Sequence, residues 1–239
     1  MKIYFRLLGC AAVFLVLGIE ASGQSRRELG FQIYVGHNHT QSSRFELEHP
    51  ATRTALIFPE VHWEGQSFNR PLYYGFRGSL LWWKVGAFEV APEFEFIHLK
   101  VYLKADQESQ AIGILQERAV RGSLRINTVL EDFNISHGVD LFLFNAVIKR
   151  GLLFSRLGAG FNISHFESTL RGFPHHEEDA FGGRVYHLAI GIAVPLKQRF
   201  NFLTEYKFTS TGPRGPVFGG EAEASLNTHH LVYGLGFRW

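Results

Sequence analysis

Ionisable side chains recur two residues apart in several segments of this chain. Glu93 and Glu95 form one set; His98, Lys100 and Tyr102 another; Glu205 and Lys207 a third, with Arg77 in a further segment. Spacing of two puts each set on one face of an extended strand. If that face points into a narrow interior, the charges must pair, because an unpaired buried charge is costly. Such a set is then either a structural ion network or, in the part nearest an open mouth, an active site. The twelve histidines (37, 39, 49, 62, 98, 137, 165, 175, 176, 187, 229 and 230) offer a titratable rim that could bind a divalent metal. No two of them have a diagnostic metal spacing, so no metal ligand is assigned. Exposed loops that merely collect polar residues are the alternative. Ser136-His137 and Ser164-His165 lack the context of a nucleophile elbow, which leaves a lipid hydrolase as a minor reading.

The elements that must hold these groups are strands. In the last nine residues Leu231, Tyr233, Leu235, Phe237 and Trp239 alternate with Val232, Gly234, Gly236 and Arg238. This is a one-sided greasy strand ending on an aromatic, the pattern of the closing strand and insertion signal of an outer-membrane barrel, read by the barrel assembly machinery. Eight period-2 segments can be placed: Glu28–His37, 72–83, 87–104, 137–149, 153–165, Val185–Pro195, 200–209 and the C-terminal strand. In the third segment the apolar parity changes at Phe96-Ile97, which predicts a bulge there and turns His98, Lys100 and Tyr102 toward the lumen with Glu89, Glu93 and Glu95. Tight connections at 84–86, 149–151 and 197–199 alternate with long ones at 38–71, 105–136, 166–184 and 210–227. Short periplasmic turns and long extracellular loops are the barrel arrangement. Eight strands leave a lumen just filled by side chains, which argues against a general porin. The predicted fold is all-β, an eight-stranded antiparallel transmembrane barrel with long extracellular loops.

Composition agrees. The chain has 23 Phe, 8 Tyr, 4 Trp and 25 Gly, with a formal charge of +2. That balance gives no electrostatic case for nucleic acid. Lys2 and Arg6 precede an apolar run from Leu7 to Ile19, and Ala21-Ser22-Gly23 supplies small residues for cleavage. Residues 1–23 therefore read as a signal peptide and 24–239 as the barrel domain, located in the bacterial outer membrane. The single cysteine, Cys10, falls in the leader, which excludes disulfides and thiol catalysis from the rest.

Trp63-Glu64-Gly65-Gln66-Ser67-Phe68, followed by Pro71-Leu72-Tyr73-Tyr74-Gly75-Phe76-Arg77, resembles the segment entering the second strand of lipid A oxidase-like outer-membrane barrels. Phe96-Ile97-His98-Leu99-Lys100-Val101-Tyr102 is similar to that group's His-x-Lys-Val-Tyr stretch, and Asn145-Ala146 and Glu205-Tyr206-Lys207-Phe208-Thr209 also match. The chain departs from the pattern at Ser136-His137-Gly138, where the group has a Thr-Asp-Gly-like turn. The resemblance implies oxidation of the proximal glucosamine of lipid A to an aminogluconate unit with dioxygen. It implies catalytic roles for His98, Glu205 and Lys100, with His98 or Glu205 as general base, and substrate binding by Arg77, Tyr102 and Lys207, with Lys100 or Arg77 on a phosphate. The cofactor is left as unknown: the chain has no nucleotide or haem motif, and a divalent metal at the histidine rim is the candidate. The expected partner is lipopolysaccharide, and the expected state a monomer. The competing reading is a non-catalytic structural or surface-binding barrel. The two part on whether His98, Lys100, Arg77 and Glu205 meet in an open pocket or in a dry, paired plug.

Overall fold

The structure, a computed structural model, describes residues 25–26, 28–70 and 72–239. The expected leader cleavage falls outside them. The described residues form strands β1 (Ser25–Arg26), β2 (Gly30–Thr40), β3 (Ser43–His49), β4 (Thr54–Val61), β5 (Trp63–Glu64), β6 (Tyr74–Ser79), β7 (Trp82–Val85), β8 (Phe88–Leu103), β9 (Glu108–Leu115), β10 (Arg118–Arg125), β11 (Leu130–Arg150), β12 (Leu153–Leu170), β13 (His175–Lys197), β14 (Phe200–Thr211), β15 (Arg214–Val217), β16 (Gly220–Ala224) and β17 (Leu226–Arg238).

Eight antiparallel staves close on themselves in the order β2, β6 with β7, β8, β11, β12, β13, β14 and β17, which pairs back onto β2. Closure leaves no sheet edge within the membrane, where an unpaired backbone amide would find no water. Alternation sets the two faces of the wall. Phe31, Ile33, Val35, Phe144, Leu188, Ile190, Tyr206, Leu231, Tyr233 and Leu235 are exposed on the outside, where lipid replaces water. The expected tight turns are present between β7 and β8, β11 and β12, and β13 and β14, with left-handed residues at Gly86, Gly151 and Gln198.

The long connections differ from the expectation. Those at 38–71, 105–136 and 210–227 contribute a second sheet, in the order β10-β9-β4-β3-β16-β15, while the one at 166–184 extends β12 and β13 to a short turn. Phe45 and Leu47 alternate with Arg44, Glu46 and Glu48 along β3, Leu56 and Phe58 with Ala55, Ile57 and Pro59 along β4, and with Val61 they pack on Phe133, Phe166 and Leu170 from the upper ends of β11 and β12. Phe45 lies 4.8 Å from Phe133 and 6.0 Å from Trp63, ring centre to ring centre. The extracellular end is thus a β cap seated on the raised barrel wall.

The parity change expected at Phe96-Ile97 is also corrected. β8 pairs with β11 without interruption from Glu89 to Leu99. Glu93, Glu95, Ile97, Leu99, Val101 and Leu103 all face inward, and the last four are buried in the apolar core. The lumen itself changes from polar to apolar at that height, so the strand needs no bulge. His98, Lys100 and Tyr102 consequently point outward, on the same side as Phe94 and Phe96. The irregularity lies in β11, whose register shifts between Ile135 and Val139, opposite Lys100.

Candidate functional site

Two polar constellations stand on opposite faces of the same wall. The first fills the lower lumen. Glu95 on β8 and Glu205 on β14 are both bridged by Arg77 of β6, at 3.1 and 3.0 Å. Lys207 bonds Glu95 and lies 3.2 Å from Glu205. Arg156 of β12 binds Glu93 at 2.8 Å and pairs with Glu205. Three cations thus meet three carboxylates, and all six side chains are buried. Neutral groups complete the net: the Tyr34 hydroxyl donates to Glu95 Oε1 at 2.6 Å, Asn145 Nδ2 donates to Glu95 Oε2 at 2.7 Å, and Arg77 Nε donates to Gln32 at 2.6 Å. Local sequence makes room for this. Gly75, directly across from Tyr34, would drive any Cβ into the tyrosine ring. The ring therefore lies flat on the wall, with the Lys207 ammonium 4.0 Å and the Arg77 guanidinium 4.9 Å from its centre. Above the net His187 takes part through Asn145 Oδ1, 2.9 Å from its Nδ1, and His230 through Thr209, 2.8 Å from its Nε2.

The second constellation is on the outside. His98 Nδ1 lies 2.7 Å from Asp140 Oδ1, directly across from it on β11. Tyr74, across from His98 on the other flank, stacks on the imidazole at 5.1 Å and 25°. Gly138 has φ +133° and lies under the ring; a Cβ there would come within 2.6 Å of His98 Nδ1. The irregular stretch of β11 therefore provides the flat bed on which the imidazole rests. Among the described residues the buried His98 Nε2 has no hydrogen-bond partner. Two residues further on, the Lys100 ammonium donates to the carbonyl of Arg70 at 3.1 Å and lies 5.9 Å from the Tyr102 ring centre. Higher on the same face Asp132 accepts from Asn134 Nδ2 at 2.8 Å. Its carboxyl is pushed above the usual aspartate range mainly by burial, with Glu167 adding to the effect and the Asn134 hydrogen bond opposing it.

The structure thus divides the residues expected from sequence. Arg77, Glu205 and Lys207 come together inside, in a paired net. His98, Lys100 and Tyr102 come together outside, separated from the first group by the wall. The lumen placement expected for His98, Lys100 and Tyr102 is corrected: the apolar plug of Ile97, Leu99 and Val101 claims the inward positions. Asp140 and Arg156 are absent from the sequence-based set, while Tyr74 and Gly138 belong to the quoted motifs without a role attached. Arg156 has the inward parity of Phe154 on a recognisable strand, and that signal would have found it. Asp140 is legible only once the register across β8 and β11 is known. Among the described residues no three His, Cys, Asp or Glu side chains meet as a metal site, so the residues present do not fit a resident metal and no step is derived through one.

No family model matches the chain and no curated protein matches it. Solved structures similar to it are outer-membrane barrels. OprG from Pseudomonas aeruginosa aligns at 11% identity, covering 91% of this chain and 98% of that one, with a TM-score of 0.46. AlkL, solved in lipid bilayers, aligns at 11% identity over 92% and 93%, with a TM-score of 0.39. Ail of Yersinia pestis, in complex with the heparin analogue sucrose octasulfate, aligns at 8% identity over 90% and 99%, with a TM-score of 0.38. At these identities the likeness concerns the fold. The chain itself is a closed eight-stranded antiparallel barrel with an apolar outer belt, the architecture of outer-membrane barrels.

Proposed function

We propose that this barrel acts on lipid A held against its outer wall, as the lipid A oxidase-like group it resembles does. One observation carries the reading: His98, Lys100 and Tyr102 continue the outward parity of Phe94 and Phe96 along β8, with His98 and Lys100 covered by neighbouring side chains. In this reading their level on the wall is that of the outer-leaflet sugar headgroup. A lipid with its acyl chains along the apolar wall presents its glucosamine there without leaving the membrane.

In this reading Asp140 holds His98 Nδ1–H, and Nε2 takes the proton from a sugar hydroxyl. Lys100 attracts the lipid phosphate as a point charge, in exchange for its contact with the Arg70 carbonyl. Tyr102 borders the same spot. In the group this chain resembles, the C–H of the sugar carbon is broken and its two electrons pass to dioxygen, which leaves as peroxide with the two protons; water then opens the resulting lactone and supplies the oxygen gained. Arg77, Glu205 and Lys207 support the wall from inside and do not touch the lipid. The test is mass spectrometry of lipid A from outer membranes carrying the protein or its His98→Ala variant, grown in air. A gain of one oxygen that disappears in the variant is expected.

The sealed lumen favours a second reading, a non-catalytic barrel whose cap binds a surface partner. Identical lipid A with and without the inserted protein would establish that reading in place of the first.

A further inference from the structure

The cap carries arginines of two kinds. Arg44, Arg53 and Arg214 each bind a glutamate: Glu46, Glu117 and Glu221. Arg118, Arg121 and Arg125, all on β10 and all exposed, have no ion pair among the described residues. Arg125 is opposite Glu108 in the ladder without approaching it closely enough to pair. β10 is also the free edge of the cap sheet, paired on one side only. Arg121 and Arg125 share its outer face at a spacing of roughly 13 Å. Glu108 and Glu117 lie beside this edge, Glu117 paired with Arg53, while Glu46 and Glu48 face Glu223 and Glu221 further across the sheet.

We propose that β10 is a docking edge for the phosphorylated inner-core saccharide of lipopolysaccharide. Three points of structure select this occupant. First, height: β8 runs five residues past His98 to Leu103, about 17 Å along the strand, and Arg125 sits at its end, where Ile126 N–H donates to the Gln107 carbonyl. The base of β10 is therefore in the layer just outside the lipid headgroups, where core sugars and their phosphates lie. Second, charge: the unpaired guanidiniums of Arg121 and Arg125 on one face, with Arg118 at the far end of the same edge on the other, suit bidentate contacts to phosphate. Third, exclusion: pairing two copies of this chain edge to edge would bring six arginines together, so the row opposes self-association through β10. This edge is distinct from the wall carrying His98; its height rests on the membrane level given to His98 under the proposed function, not on the chemistry of His98.

The test uses the full barrel in detergent micelles and measures binding of three probes: lipopolysaccharide with intact core phosphates, the same material with those phosphates removed, and lipid A alone. The triple variant Arg118→Gln/Arg121→Gln/Arg125→Gln is compared with Arg53→Gln, which breaks a paired arginine on the same cap. Expected is a tenfold or greater loss of affinity in the triple variant for the phosphorylated core, no comparable loss in Arg53→Gln, and a steep salt dependence only in the protein with the β10 arginines. Retention of the migration shift on heating verifies that each variant is folded. Equal affinity of the triple variant and the unaltered protein for the phosphorylated core would overturn the proposal. So would an equal loss with lipid A alone, which would move the contact down to the lipid phosphates.

Discussion

His98 and Asp140 face each other across β8 and β11 on the membrane side of the wall, with Nδ1 and Oδ1 2.7 Å apart. The carboxylate fixes the proton on Nδ1 and leaves the buried Nε2 as the acceptor. In Asp140→Asn the side chain keeps its shape but no longer stabilises a charged imidazolium. Lipid A oxidation is expected to slow by about 10²-fold or more, the range of a positioned acid–base group, with the barrel still inserted. Measuring the oxidised fraction against time checks this, and a full rate in Asp140→Asn would remove His98 from the role of base.

Glu205 is the hub of the lumen net, contacting Arg77, Arg156 and Lys207. Truncating it leaves buried cations with one carboxylate fewer. Glu205→Ala is expected to destabilise the barrel by about 3–5 kcal/mol, read as a lowered urea midpoint for unfolding from lipid vesicles. Lipid A oxidation per folded molecule is expected to hold, because the net lies on the other side of the wall from His98.

The paired net below and the apolar plug of Ile97, Leu99, Val101, Val139 and Leu141 above close the lumen along its length. Planar-bilayer recordings of the inserted protein should therefore show no steady conductance steps. A reproducible open level would contradict the packing described for the plug.

Phe45 is fully buried between Phe58, Trp63 and Phe133, at the seam between cap and barrel. Phe45→Ala is expected to cost about 3–5 kcal/mol locally. The loss should appear as protease cutting within the cap while the membrane-embedded strands stay protected. Cutting of both parts at once would mean that cap and barrel unfold as one unit.

Asp132 supplies a pH dependence outside the membrane. Its carboxyl is raised by burial, so ionising it opposes folding of the cap end. The cost is absent below the ordinary aspartate range and grows as pH rises through the raised value. Asp132→Asn removes it while keeping an oxygen for Asn134 Nδ2 to donate to. The variant should match the unaltered protein in thermal stability near about pH 3 and exceed it near about pH 8. A stability gain of the same size at both ends would remove ionisation of Asp132 as its cause.

The strict alternation of the lipid-facing residues made the staves legible in sequence, and Glu205 and Lys207 fell on the inward face as their parity required. Two things hid the rest. Period 2 says which residues share a face but not which face is inside, and in β8 the usual cue of greasy outside and polar inside reverses above Glu95. Lipid takes Phe94 and Phe96, while the cap's core takes Ile97, Leu99 and Val101. The cap strands were alternating in plain view, with Phe45 and Leu47 set between Arg44, Glu46 and Glu48. Their partners lie far along the chain, so no local pattern announces the sheet.

That same separation has a consequence for how the molecule is made. The central ladder of the cap joins residues 45–48 to residues 221–224, and β9 reaches β4 from between them in sequence. Closing such a long loop from an open chain carries a large entropic cost. Once β17 zips onto β2 the two ends of the loop are already neighbours. Cap formation is thereby deferred until the barrel has closed, and a ligand or antibody that recognises the β3–β16 ladder would report completed insertion rather than mere delivery to the membrane.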